Sequence, residues 1–181
     1  MIRHFFIAML LAAAVQFLTN PAWACGERIE VAFFENDGDI FEITNKSRGP
    51  MTLAQLTIRL TGSRGRLIFD TEFGGPGASM AQPFEPLAGE VGLKAACTVG
   101  DGDEVMQLEF SGFSPGRRFE FIIDVDDRME GSEFGRSVVS GEEIQGAGAE
   151  AVMIRAGGGT SRIRGRFGPD GRALLRGGVC A

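Results

Sequence analysis

Histidine, tryptophan and tyrosine are nearly missing from this 181-residue chain, which has one His, one Trp and no Tyr. The single His4 and Trp23 both fall within the first 24 residues, so the 157 residues that follow (181 less 24) have none of the three. Without His the segment lacks the usual general base near neutral pH, the commonest metal ligand and the centre of a Ser-His-Asp triad. Without Trp and Tyr it lacks the usual aromatic platforms with a polar edge. No Cys-x-x-Cys spacing occurs, which leaves zinc and thiol redox chemistry without support.

The N-terminus reads as a secretory signal. Arg3 and His4 give a positive start, Phe5 to Leu18 form an apolar core, and Ala22-Trp23-Ala24 is a small-x-small site before Cys25. That apolar run is too short to span a bilayer, and no later run is longer. The expectation is residues 1–24 as signal peptide, residues 25–181 as one domain, and a secreted or periplasmic chain with no membrane span. Removing Arg3 takes the formal net charge from −6 to −7. Such an acidic balance disfavours nucleic acid and anionic lipid surfaces as partners. The three cysteines, Cys25, Cys97 and Cys180, would meet an oxidising compartment. Cys25 and Cys180 stand at the two ends of the mature chain, where a bridge would staple the fold, while Cys97 reads as a small buried hydrophobe. The connectivity itself stays open.

Apolar and polar residues alternate along most of the remaining chain. Ile29, Val31 and Phe33 form one such set, as do Phe41 and Ile43, Leu56, Ile58 and Leu60, Met106, Leu108 and Phe110, and Phe119, Phe121 and Ile123. Further strands are expected at Leu67 to Asp70, Val138–Val139, Ala149 to Arg155, Arg162 to Phe167 and Ala173 to Val179. Turn signals such as Asn36-Asp37-Gly38-Asp39, Ser114-Pro115-Gly116 and Pro169-Asp170-Gly171 separate them, and Thr71 to Pro83 reads as a long glycine-rich loop. Connections this short do not accommodate helical crossovers. The pattern predicts an all-β, single-domain antiparallel β-sandwich of roughly ten short strands.

Several strings together resemble a known group. They are Asp39-Ile-Phe-Glu-Ile-Thr-Asn-Lys-Ser47, Arg66-Leu-Ile-Phe-Asp-Thr71 followed by Gly-Gly-Pro-Gly and Gln82-Pro-Phe-Glu85, Phe121-Ile-Ile-Asp-Val-Asp-Asp127, and Val139-Ser-Gly-Glu-Glu-Ile-Gln-Gly-Ala147. The chain resembles the small secreted bacterial proteins labelled "aggregation factor core". That resemblance implies a cell-surface or matrix role and carries over no functional residue. After Asn-Lys-Ser the chain departs from the group, with Arg48-Gly49-Pro50 where a cysteine often follows.

The densest chemistry lies past the Phe119 strand. Asp124 and Asp126 are two apart and share one side of a strand, Asp127 follows, and Glu142 and Glu143 come from the next turn. Carboxylates converging at a loop suit Ca²⁺, which takes six to eight oxygen ligands. The plainer reading is a solvated acidic loop with Arg128 and Arg136 as partners. No EF-hand spacing is present. Asp37 and Asp39, like Asp101 and Asp103, flank a glycine and read first as hairpin signals.

Arg162, Arg164 and Arg166 alternate with Ile163 and Phe167, which puts three arginines on one sheet face. They are either a solvated face with cross-strand acids or a basic patch for a surface polysaccharide or for self-association through another copy. Phe69-Asp70-Thr71 resembles the Asp-Thr-Gly loop of aspartic proteases, but Glu72 replaces the glycine and no second loop of that kind follows. Two functional expectations result: a secreted, non-catalytic binding or adhesion-type β-sandwich stabilised by Ca²⁺, or a glycosidase-like hydrolase using paired carboxylates.

Overall fold

A computed structural model describes residues 26–177, except 37, 79, 95–98 and 132–134. The N-terminal signal, all three cysteines with the expected Cys25–Cys180 pairing, and Asp37 therefore lie outside the described residues. Within them the protein is all-β. The strands are β1 (Arg28–Phe34), β2 (Ile40–Asn45), β3 (Met51–Arg59), β4 (Ile68–Asp70), β5 (Glu85–Ala88), β6 (Val105–Phe113), β7 (Arg118–Ile122), β8 (Asp124–Asp126), β9 (Gly148–Arg155), β10 (Thr160–Arg166) and β11 (Arg172–Arg176). Among the described residues no helix is long and apolar enough to cross a membrane.

Nine strands form one antiparallel sheet in the order β5-β7-β2-β1-β11-β10-β9-β3-β6, and β4 pairs with β8 in a separate ribbon. The period-two pattern sets the inner face: Ile29, Val31 and Phe33 of β1, Phe41 and Ile43 of β2, and Ala149, Ala151 and Met153 of β9 are all buried. A run of phenylalanines closes the curled sheet on itself. Phe33 meets Phe41 at 5.2 Å, Phe41 stacks on Phe121 at 5.2 Å, and Phe119, beside Phe121, meets Phe110 at 5.7 Å. Phe119 is on β7 near one end of the sheet and Phe110 on β6 at the other, so this contact joins the two halves. Each such ring pair adds about 0.5–1.5 kcal/mol beyond area burial. Asn45 makes a polar version of the same closure. Its fully buried amide donates to the Phe113 and Met51 carbonyls, and its Oδ1 accepts from Ser47 N.

Three segments differ from the alternation-based expectation. Val138–Val139 is not a strand: Val138 N closes a turn onto the Gly135 carbonyl, and Val139 tucks into the core from that turn. β5 carries no apolar pattern because all four residues are exposed, and Pro86 fits an edge position. The expected Phe119–Ile123 strand continues past Ile123, but with a new partner. β7 pairs with β2 and β5, whereas β8 leaves the large sheet to pair with β4.

Candidate metal centre

This change of partner builds the site. In the β4–β8 ribbon Ile68 faces Asp126, Phe69 faces Val125 and Asp70 faces Asp124. Alternation sends Phe69 and Val125 into the core, both fully buried, and leaves Asp70, Asp124 and Asp126 together on the other face. Each of the three offers a carboxylate oxygen, and these oxygens lie within 4.8 Å of one another. The residues are only 3%, 4% and 0% exposed.

The glycine-rich segment after β4 covers this face. Gln82 N donates to the Asp70 carbonyl and Asp124 N to the Gln82 carbonyl, so the end of the segment runs along the ribbon. Ala78 N donates to Asp126 Oδ2 in a short contact. Thr71 N and Glu72 N donate to Asp101 Oδ1 at 2.9 and 3.3 Å. Arg136 bolts the cover from outside, donating to the Pro76 and Asp127 carbonyls. Asp39 closes the inner side, its Oδ2 accepting from Val125 N at 3.1 Å.

Even so, Asp70 Oδ1, Asp124 Oδ2 and Asp126 Oδ1 are buried with no hydrogen-bond donor. Burial pushes Asp124 up to about 6, with the Asp70 charge adding to it. Burial also raises Asp39 to about 9, reinforced by the Asp124 charge. Asp70 and Asp126 are raised by burial as well, Asp126 being partly held down by Ala78 N and Arg136. Asp101 is lowered by the backbone N–H of Thr71. Even at the outer limit of 4.8 Å, two carboxylates repel by about 3.5 kcal/mol at an effective dielectric constant near 20. Three such pairs would cost about 10 kcal/mol, comparable with the whole stability of a domain. The fully ionised triad therefore needs a counter-charge, either protons or a cation.

Of the acids singled out from sequence, the structure brings together Asp124 and Asp126 and adds Asp70. Asp127 takes the opposite side of the chain, over Gly65: its Oδ1 accepts from Met129 N at 2.8 Å, and its Oδ2 is a further buried oxygen without a donor. Glu142 and Glu143 are elsewhere. Glu142 forms an exposed ion pair with Arg64 at 3.1 Å, and Glu143 Oε2 accepts from the amide and hydroxyl of Ser140, capping its own turn. Asp39 and Asp101, read as hairpin residues, belong to the surroundings of the centre. Asp70 had a usable signal, since it ends an apolar run directly before a glycine-rich loop.

Arg162 and Arg164 both reach Glu150 across the β9–β10 pair, at 2.8 and 2.5 Å, and Arg166 donates to the Gly146 carbonyl. Ile163 and Phe167 are buried on the other face, as alternation predicts.

No protein-family model matches the chain, and neither a curated protein nor a solved structure matches it.

Proposed function

We propose that the protein is a non-catalytic binding or adhesion-type β-sandwich that works outside the cytoplasm and is stabilised by calcium held between Asp70, Asp124 and Asp126. The observation that carries this reading is the set of three buried, donor-less carboxylate oxygens in one cluster. A cation satisfies them and removes the mutual repulsion in one step. Three carboxylates from an irregular cluster suit Ca²⁺, whose oxygen shell is flexible, better than Mg²⁺, which demands a strict octahedral shell. The extracytoplasmic setting rests on the N-terminal signal pattern and on the resemblance to the "aggregation factor core" proteins.

A hydrolase would draw on the same acids. Against it stand the burial of all three and the loop that lies over them, since a general acid or base has to come within hydrogen-bond reach of its substrate.

Thermal melting in Ca²⁺, Mg²⁺ and EDTA tests the proposal. Ca²⁺ at a hundredfold excess over Kd should stabilise by about 2.7 kcal/mol, and Mg²⁺ by much less. Asp70→Asn should abolish the response without lowering the melting temperature in EDTA, because it removes a repelling charge. A melting temperature indifferent to both calcium and EDTA would overturn the cation. Turnover of a glycan or peptide substrate that disappears in Asp70→Asn would overturn the non-catalytic reading.

A further inference from the structure

The outward face of the sheet's centre is strongly cationic. The registers Arg28↔Arg176 and Arg176↔Arg164 set three arginines side by side on β1, β11 and β10. Like charges directly opposite on neighbouring strands are destabilising, yet no carboxylate separates them. Arg162 and Arg166 on β10 and Arg172 on β11 share this face by the same alternation.

The two acids beside these arginines are already committed. Glu150 serves both Arg162 and Arg164, and Glu30 serves both Lys46 and Arg172. Arg28 and Arg176, with Arg59 of β3, have no ion pair among the described residues. This concentration of cations occurs in a chain whose formal net charge is −6.

The face also has a groove. Arg59 and Arg166 both register with Gly148, one on each side of it. A Cβ at Gly148 would meet nothing within 4 Å, so the floor between the two arginines is open. The groove measures about 420 Å³ and is rimmed by Arg59, Thr61, Glu150, Arg164 and Arg166, within the range of small-ligand sites.

We propose that this face binds a linear acidic polysaccharide through its carboxylates. One uronate unit enters the groove between Arg59 and Arg166, and following units track the Arg164, Arg176 and Arg28 row. Guanidinium forks match carboxylates bidentately. Glu150 and Thr61 beside them accept sugar hydroxyls, which an inorganic polyphosphate does not offer. Among the described residues this face has no aromatic platform free for nucleobases, because its neighbouring Phe34 ring lies under Arg172 at 5.6 Å. The inference deepens the reading of the chain as a binding module and is independent of the cation.

The test is binding of the secreted chain to polygalacturonate, with neutral dextran, dextran sulfate and duplex DNA as competing probes, at low and physiological ionic strength. Polygalacturonate should bind in preference to the others and weaken as salt rises. The double variant Arg59→Ser, Arg166→Ser should lose about tenfold or more in affinity. Arg117→Ser, whose guanidinium lies on the Glu90 carbonyl beyond the β5–β7 end of the sheet, should bind like the parent. Equal binding of DNA or dextran sulfate, an unchanged double variant, or no polygalacturonate binding at low salt would overturn the proposal. A calcium melt on the same sample separates the two readings. A calcium response without polysaccharide binding removes only this inference, whereas failure of both removes the binding-module reading too.

Discussion

A Cβ added to Gly77 would stand 2.1 Å from Oδ2 of Asp70 and 2.6 Å from Oδ2 of Asp126. The backbone of the covering segment thus lies directly on two of the three carboxylates. Gly75 makes the same kind of approach to Asp101, at 1.7 Å from its Oδ2. Glycine is used at these two positions for space, since neither lies at positive φ.

Gly77→Ala should therefore push the segment off the ribbon or turn the carboxylates aside. Calorimetric titration should show calcium affinity weakened about tenfold or more, equivalent to roughly 1.4 kcal/mol. Gly159→Ala is the control, because its nearest neighbour, the Arg155 side chain, is at ordinary contact distance, 3.8 Å. A Gly77→Ala variant that binds calcium normally would mean that the segment does not close the site.

The raised carboxyls give the cation-free protein an unusual pH dependence. A group whose folded pKa exceeds its unfolded value contributes stability below the unfolded pKa and loses it as pH rises through the folded one. Asp124 moves from 3.8 to about 6 and Asp39 from 3.8 to about 9. In EDTA the stability to denaturant should fall between about pH 4 and pH 9, by about 1.4 kcal/mol per pH unit for each group titrating. Calcium requires the ionised carboxylates, so its stabilising increment should grow over the same range. A pH scan in EDTA that rises toward pH 8 would contradict the burial argument.

Glu142→Gln and Glu143→Gln should leave the calcium response intact, as neither side chain joins the triad. Glu142 is in an exposed pair and should cost well under about 1 kcal/mol. Glu143 caps the Ser140 turn, and its loss should cost about 1 kcal/mol in chemical denaturation. A reduced calcium affinity in either variant would place these acids in the ligand set after all.

The contrast between these glutamates and Asp70 shows what the sequence could reveal. Alternation exposed β1, β2, β6, β7 and β10, because one face of each is buried and a period of two is visible locally. It also put Asp124 and Asp126 on one face. It could not supply Asp70, whose proximity depends on β8 exchanging the large sheet for β4, a long-range pairing with no local trace. Glu142 and Glu143 were misplaced for the complementary reason. The chain around Val139 turns instead of forming a strand, and it brings Glu143 back over Gly65 beside Asp127, on the side away from the triad and with its carboxylate taken up by Ser140.

The covering segment should report the cation directly through its susceptibility to proteolysis. Phe73 is 80% exposed within it, an accessible site for a chymotrypsin-like protease. The backbone around Phe73 is held by Asp101 through Thr71 and Glu72, by Asp126 through Ala78, and by Arg136 through Pro76. Asp126 is the anchor that belongs to the triad itself, so its charge opposes both Asp70 and Asp124 in the absence of a counter-ion. Without calcium that repulsion should favour local opening, and cleavage follows the open population when closing is fast. Limited digestion should therefore cut after Phe73 at least several-fold faster in EDTA than in calcium, with the rest of the β-sandwich intact by mass. Asp126→Asn should remove the difference between the two conditions. Equal cleavage rates with and without calcium in the parent protein would show that the ion, if bound, does not hold the segment to the ribbon.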